Sequence, residues 1–173
     1  MRHLLYSGLA LLVLAASGAH AASDGNLATG TSASSGSLKV GLVVEDMVRI
    51  SDLDDLMLQW NSGQQAFTAT DNLCVFRNLS GRYSVSARSH HGDNAFVMAG
   101  PSGSRLTYDV QWNGRSLTPE NRSGVINGAH QTAPDCAGNG NTTLKVRSTP
   151  EQVSAASRTG THTDTLTLEI IAE

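Results

Sequence analysis

Leu106-Thr107-Tyr108-Asp109-Val110-Gln111-Trp112-Asn113-Gly114 is the stretch on which the fold class turns. Leu106, Tyr108, Val110 and Trp112 alternate with Thr107, Asp109 and Gln111, and Arg105 extends the polar set. A period of two puts the apolar side chains on one face of an extended strand and the polar ones on the other, as a half-buried antiparallel sheet requires. Asn113-Gly114 then accommodates positive φ and ends the strand in a turn.

The same pattern recurs along the chain. Tyr83, Val85 and Ala87 alternate with Arg82, Ser84, Ser86 and Arg88. Leu144 and Val146 alternate with Lys145 and Arg147, and Leu166, Leu168 and Ile170 with Thr165, Thr167 and Glu169. Leu38, Val40, Leu42 and Val44 fall on one face of a further strand. Val48 and Ile50 continue a short extended piece, and Leu56, Leu58 and Trp60 alternate again. Leu73-Cys74-Val75-Phe76 is nearly continuous and predicts a strand covered on both faces. Asn127-Gly128 and Asn139-Gly140 are further turn dipeptides. One helical signal interrupts the strands: Thr149 as cap, Pro150 at the first helical position and Gln152 three residues after the cap. It predicts a short helix near 150–158, ended by Gly160. Many short strands with one short helix predict an all-β, antiparallel β-sandwich.

Composition agrees. Of 173 residues, 39% are hydrophobic and only 16% charged, which suits one domain with a modest core and a polar, uncharged surface. The net charge of -3, with Lys39 and Lys145 the only lysines, argues against a nucleic-acid partner and against a polybasic membrane surface. Residues 1–21 read as a secretory signal peptide: Arg2, an apolar run from Leu4 to Ala16, and the small-x-small site Ala19-His20-Ala21. No later stretch is long enough to span a bilayer once that signal is removed. Residues 22–36 are small and polar and predict a flexible N-terminal arm, leaving 37–173 as the sandwich domain. In an exported chain the two cysteines, Cys74 and Cys136, favour a disulfide, and closing so long a loop contributes about 4 kcal/mol by the chain-entropy account.

Three segments carry a further likeness: Cys74-Val75-Phe76 followed by Gly81-Arg82-Tyr83-Ser84-Val85, then Leu106 to Trp112, then Gly160-Thr161-His162-Thr163-Asp164-Thr165-Leu166-Thr167-Leu168. Together they resemble the spore coat protein U-like family, which includes pilin subunits of archaic chaperone–usher pili. The resemblance implies an incomplete immunoglobulin-like (pilin-like) sandwich that lacks its last strand and leaves a hydrophobic groove between its sheets. It implies a periplasmic chaperone and an outer-membrane usher as partners, and like subunits in a fibre. In such fibres an N-terminal segment of the next subunit fills the groove by β-augmentation. Here Leu38, Val40, Leu42 and Val44 offer the better donor strand, although the same segment suits the domain's own first strand. Leu166, Leu168 and Ile170 are the candidates to line the groove or pair with a chaperone strand. Two departures from the pattern stand out: Ala172 occupies a place where fimbrial subunits often carry an aromatic residue, and residues 28–37 hold few large apolar side chains.

Other constellations read as structural. Asp52, Asp54 and Asp55 offer oxygen ligands but lack the glycine and distal glutamate of a calcium loop, so they read as a solvated turn. His90-His91-Gly92-Asp93 is too small a ligand set for a metal and reads as an exposed turn, with His130 and His162 as surface residues. Tyr83, Tyr108 and Trp112 face inward by alternation and belong to the core before any carbohydrate platform with Trp60. Asn78, Asn121 and Asn141 head glycosylation triplets that matter only in a glycosylating host. Neither Gly-x-Ser-x-Gly nor HExxH occurs, and no phosphate-binding glycine loop does. The reading is therefore a non-enzymatic structural subunit without a cofactor, passing the periplasm to the cell surface or pilus. The alternative is a secreted β-sandwich binding module for a surface glycan or partner protein.

Overall fold

The computed structural model describes residues 22–27, 29–30, 33–61, 63–156 and 160–173. The signal peptide expected over 1–21 lies outside them. The chain divides into two units, Met1–Val44 and Glu45–Glu173. In the first, Ser23 and Ser37 exchange two backbone hydrogen bonds of 2.9 Å, an isolated antiparallel bridge within the expected arm.

The second unit holds the strands β1 (Val48–Ser51), β2 (Phe67–Arg77), β3 (Arg82–Ser89), β4 (Phe96–Ala99), β5 (Arg105–Trp112), β6 (Arg115–Ser116), β7 (Ile126–Asn127), β8 (Thr142–Ser148) and β9 (Leu166–Ala172). One helix, α1 (Pro150–Ala155), joins β8 to β9. Every ladder is antiparallel. One sheet has six strands in the order β1-β2-β8-β5-β4, with β6 also on β5, and the other has three, β7-β3-β9. The fold is thus all-β, with two antiparallel sheets and one short helix.

The core follows from the alternation. Leu73 and Val75 of β2, Tyr108, Val110 and Trp112 of β5, and Leu144 and Val146 of β8 meet Tyr83, Val85 and Ala87 of β3 in a single cluster. Trp112 is fully buried and donates its indole N–H to the Tyr83 hydroxyl at 3.1 Å, so its one polar atom is satisfied. The continuous run on β2 is covered on both faces. Leu73 and Val75 face the sandwich, while Cys74 and Phe76 form a second cluster with Cys136.

Asn113-Gly114 makes the β5–β6 turn with φ of 49° and 76°, as its chemistry requires. Asn139-Gly140 works differently. Positive φ falls instead on Cys136, Ala137 and Gly138, and Gly140 is needed because an added Cβ would lie 2.9 Å from the Asn72 carbonyl oxygen. The helix carries the anticipated capping box: Gln152 N–H donates to Thr149 Oγ1, and Thr149 N–H donates to Gln152 Oε1. Its expected end at 158 lies outside the described residues. Thr149→Ala should lower stability by about 1 kcal/mol, read from the urea midpoint.

Two anticipated strands are absent. Among the described residues, 38–47 join no ladder, and Leu38, Val40, Leu42 and Val44 are exposed. Leu56 and Leu58 pack against the core, yet residues 52–60 join no ladder either. Asp52 takes φ of 61° and breaks the line of β1, and the Asp54 N–H donates to the Asp71 carboxylate at 3.0 Å rather than to a strand carbonyl. Alternation selects a face; it does not supply a hydrogen-bonding edge. Conversely, β4 lacks a long alternating run but pairs with β5 from Phe96↔Tyr108 to Ala99↔Arg105.

Candidate functional site

The most unusual surface is the outer edge of β9. Its inner edge pairs with β3 from Tyr83↔Ala172 to Ser89↔Leu166. No second strand pairs with β9 among the described residues. The far edge of β3 is treated differently. There β7 pairs over Arg82 and Tyr83, Ser123 N–H donates to Val85 O at 2.8 Å, the Val85 N–H donates to Ser123 Oγ at 3.0 Å, and Glu120 N–H donates to Ala87 O. One side of the three-stranded sheet is sealed by the loop 117–127, while the other is left open.

The side chains along that open strand match. Leu166, Leu168 and Ile170 point to the core but stay half-buried, whereas Val85 of the neighbouring strand is fully buried. Ile50, Leu56, Leu58 and Met98 also pack against the core without being fully covered. Two surface depressions, of about 270 and 230 Å3, lie elsewhere and are lined by no β9 residue. An unpaired edge of this kind invites another strand.

Both ends of β9 are pinned. At its start, the Asp164 carboxylate, only 3% exposed, accepts from Ser89 Oγ at 2.6 Å, Tyr108 OH at 2.6 Å and His91 Nδ1 at 3.0 Å, and from the backbone N–H groups of His90 and His91. Burial alone pushes this carboxyl up. The bonds from Ser89, Tyr108, His91 and the Thr165 N–H outweigh burial and hold it below the usual carboxylate range. Burial and the bond to Asp164 both push the Tyr108 hydroxyl well above its ordinary value. At the other end, Arg77 gathers four segments. Its guanidinium donates to both Asp46 oxygens at 3.1 and 2.7 Å, to Ser80 Oγ, to Arg82 O and to the Glu173 backbone oxygen. The hydrogen bonds from Arg77 hold the Asp46 carboxyl below its usual range.

The residues singled out from sequence fall as follows. Cys74 and Cys136 are bonded, with Cα atoms 5.8 Å apart, and fasten the loop 128–141 over the outer face of β2. That loop replaces a strand along β2: His130 N–H donates to Val75 O, Arg77 N–H donates to His130 O, and Asn141 Oδ1 accepts the Val75 N–H. Leu38, Val40, Leu42 and Val44 are not brought into a ladder, and Leu166, Leu168 and Ile170 share the inward face of β9.

His90 and His91 do lie in a turn, with His90 exposed and His91 partly so, and that turn also serves the Asp164 centre through both backbone N–H groups and His91 Nδ1. His130 and His162 are not bare surface residues either. His130 Nδ1 accepts the Ala133 N–H, and His162 Nε2 bonds Ser104 Oγ at 2.9 Å. Trp60 is 57% exposed and stacks on Phe67, with ring centroids 4.7 Å apart. Asn78 and Asn141 spend their amides on backbone groups. Among the described residues no three His, Cys, Asp or Glu side chains converge as metal ligands, and no helix is long and apolar enough to cross a membrane. The Asp164 centre escaped sequence reading. Its only trace was a lone carboxylate among threonines just before a strand.

No family model and no curated protein matches the chain. A solved structure of a chaperone–tip adhesin complex, described as vital for synergistic activation of CFA/I fimbriae biogenesis, aligns with 73% of this chain at 15% identity and a TM-score of 0.47. This chain spans 41% of the length of that one.

Proposed function

We propose that this protein is an exported structural subunit of an extracellular fibre, joined to its neighbours by β-strand donation and without catalytic activity. The observation that carries this reading is the open outer edge of β9, lined by the half-buried Leu166, Leu168 and Ile170. Main-chain hydrogen bonds along such an edge supply affinity, and alternate side chains supply register. The proposed donor is Leu38-Val44 of another copy. Its Leu38, Val40, Leu42 and Val44 are spaced two apart, and all four are more than half exposed. A periplasmic chaperone would cover the same edge in transit and an outer-membrane usher would exchange it, which places the working protein at the cell surface. The resemblance to archaic pilin subunits supports this reading.

Two measurements test it. The mature chain, residues 22–173, should form concentration-dependent polymers, and removal of residues 22–44 should leave monomers. A synthetic peptide covering 37–45, added to the shortened chain, should raise its Tm and slow amide exchange across Leu166–Ala172. A full-length mature chain that stays monomeric at every concentration, with a peptide that leaves β9 exchange unchanged, sinks the fibre reading and favours a self-contained binding module. The packing of Leu56 and Leu58 against the core is the feature that would suit that module.

A further inference from the structure

The donor proposed above belongs to the same chain as the open edge it would fill on a neighbour, so something must keep the chain from filling its own. The residues immediately after that segment suggest how. β1 runs beside β9 at this seam, so for Leu38-Val44 to reach the open edge of its own β9 the chain would have to fold back along β1 with Glu45-Asp46-Met47 as the connecting loop, since hairpin loops run about 2–5 residues. Those three residues are already committed. Met47 N–H donates to Asn78 Oδ1 at 2.8 Å, and Asn78 N–H donates to Met47 O at 3.2 Å. Asn78 Nδ2 donates to Glu45 O at 2.7 Å. Arg77 grips the Asp46 carboxylate with two nitrogens, at 3.1 and 2.7 Å. The Asn78 N–H to Met47 O bond follows directly on Val48↔Arg77, and the side-chain bonds tie Glu45, Asp46 and Met47 to the same two residues, so a hairpin turn at Glu45–Met47 would have to break them. Arg77 itself is anchored from behind by Ser80, Arg82 and the Glu173 backbone oxygen, and is only 7% exposed.

We infer that Arg77 and Asn78 form a clamp that denies the chain the turn required for self-insertion, and so reserve Leu38-Val44 for a second copy. The inference rests on the fibre reading. Arg77 and Asn78 are positioning residues in it: they touch Glu45, Asp46 and Met47, not the donated strand. An edge that its own chain could close would end a fibre at one subunit, because a tethered strand competes at an effective concentration in the millimolar range.

The test uses the mature chain, residues 22–173, at dilutions where it is monomeric, with amide exchange of residues 38–44 as the readout. In the wild type these amides should exchange freely when dilute. In the double variant Arg77→Met with Asn78→Ala, they should be protected roughly ten-fold or more, independent of protein concentration. Because the double variant risks misfolding, a second variant keeps the clamp and inserts Gly-Ser-Gly-Ser between Val44 and Glu45. That slack supplies the missing turn, and the same concentration-independent protection should appear. Free exchange over 38–44 in the folded insertion variant overturns the inference, as does protection already present in the dilute wild type. The two readings fail separately. A wild type that never polymerises beside a self-protected insertion variant removes the fibre and keeps the clamp. A wild type that polymerises beside variants without self-protection removes the clamp and keeps the fibre.

Discussion

Replacing Cys74 and Cys136 together by alanine is expected to lower the unfolding free energy by about 4 kcal/mol. The bridge spans 62 positions, and in the chain-entropy account its loss frees a loop of that length in the unfolded ensemble. A native-state effect adds to this. Cys74, Phe76 and Cys136 form their own buried cluster on the outer face of β2, apart from the sandwich core. Without the bridge, the loop 128–141 is held by backbone bonds from His130 to Val75 and Arg77 and by the Asn141 amide. Denaturant titration should therefore show a lower midpoint. Amide exchange should accelerate first at His130, Arg77 and Val75, before the Trp112 region responds. Equal stability of the double variant and the oxidised wild type, with no change at His130, would refute the role given to this staple. The cysteines should be replaced as a pair, because a single substitution leaves a free thiol that complicates the comparison.

The second large effect is expected at Asp164. Asp164→Ala removes the acceptor shared by Ser89, Tyr108 and His91, and strands the buried Tyr108 hydroxyl beside an apolar methyl group. Hydrogen bonds to a charged group and the cost of an unsatisfied buried donor place the loss at about 3 kcal/mol. Asp164→Asn keeps the shape and one acceptor oxygen, so it should lose less.

The pH dependence has a definite sign. The folded carboxyl lies below its unfolded value of about 3.9, so the folded state binds fewer protons in that range. Its contribution is complete above that value and drains away as pH falls through the folded pKa. Wild type should therefore lose stability with acid more steeply below about pH 4 than Asp164→Asn does. Parallel curves for the two proteins would show that the carboxylate is not held as described. Because Asp164 ties the start of β9 to β3, β5 and the turn at His90 and His91, Asp164→Ala should also speed amide exchange from Leu166 onward.

Much of this could be read without coordinates. The alternation in 106–112 determined which side chains go inward, because neighbours two apart in an extended chain point the same way whatever strand lies beside them. Hence Tyr108, Val110 and Trp112 are buried, as are Tyr83 and Val85. The unbroken run at 73–76 announced a strand covered twice, and Thr149-Pro150 with Gln152 announced a helix start, since a cap is decided by residues three apart. Pairing and closure are different quantities, because they depend on what the rest of the chain brings alongside. Leu38-Val44 has a strand's pattern and no partner strand among the described residues, while Phe96–Ala99 has little pattern and a full partner. The partners of Asp164 lie 56, 73 and 75 residues away, beyond the reach of any local motif. Which edge the loops cover, at β3, and which they leave bare, at β9, is likewise a matter of where distant segments come to rest. Local periodicity set the faces of this protein; only the assembled sheets decided its edge.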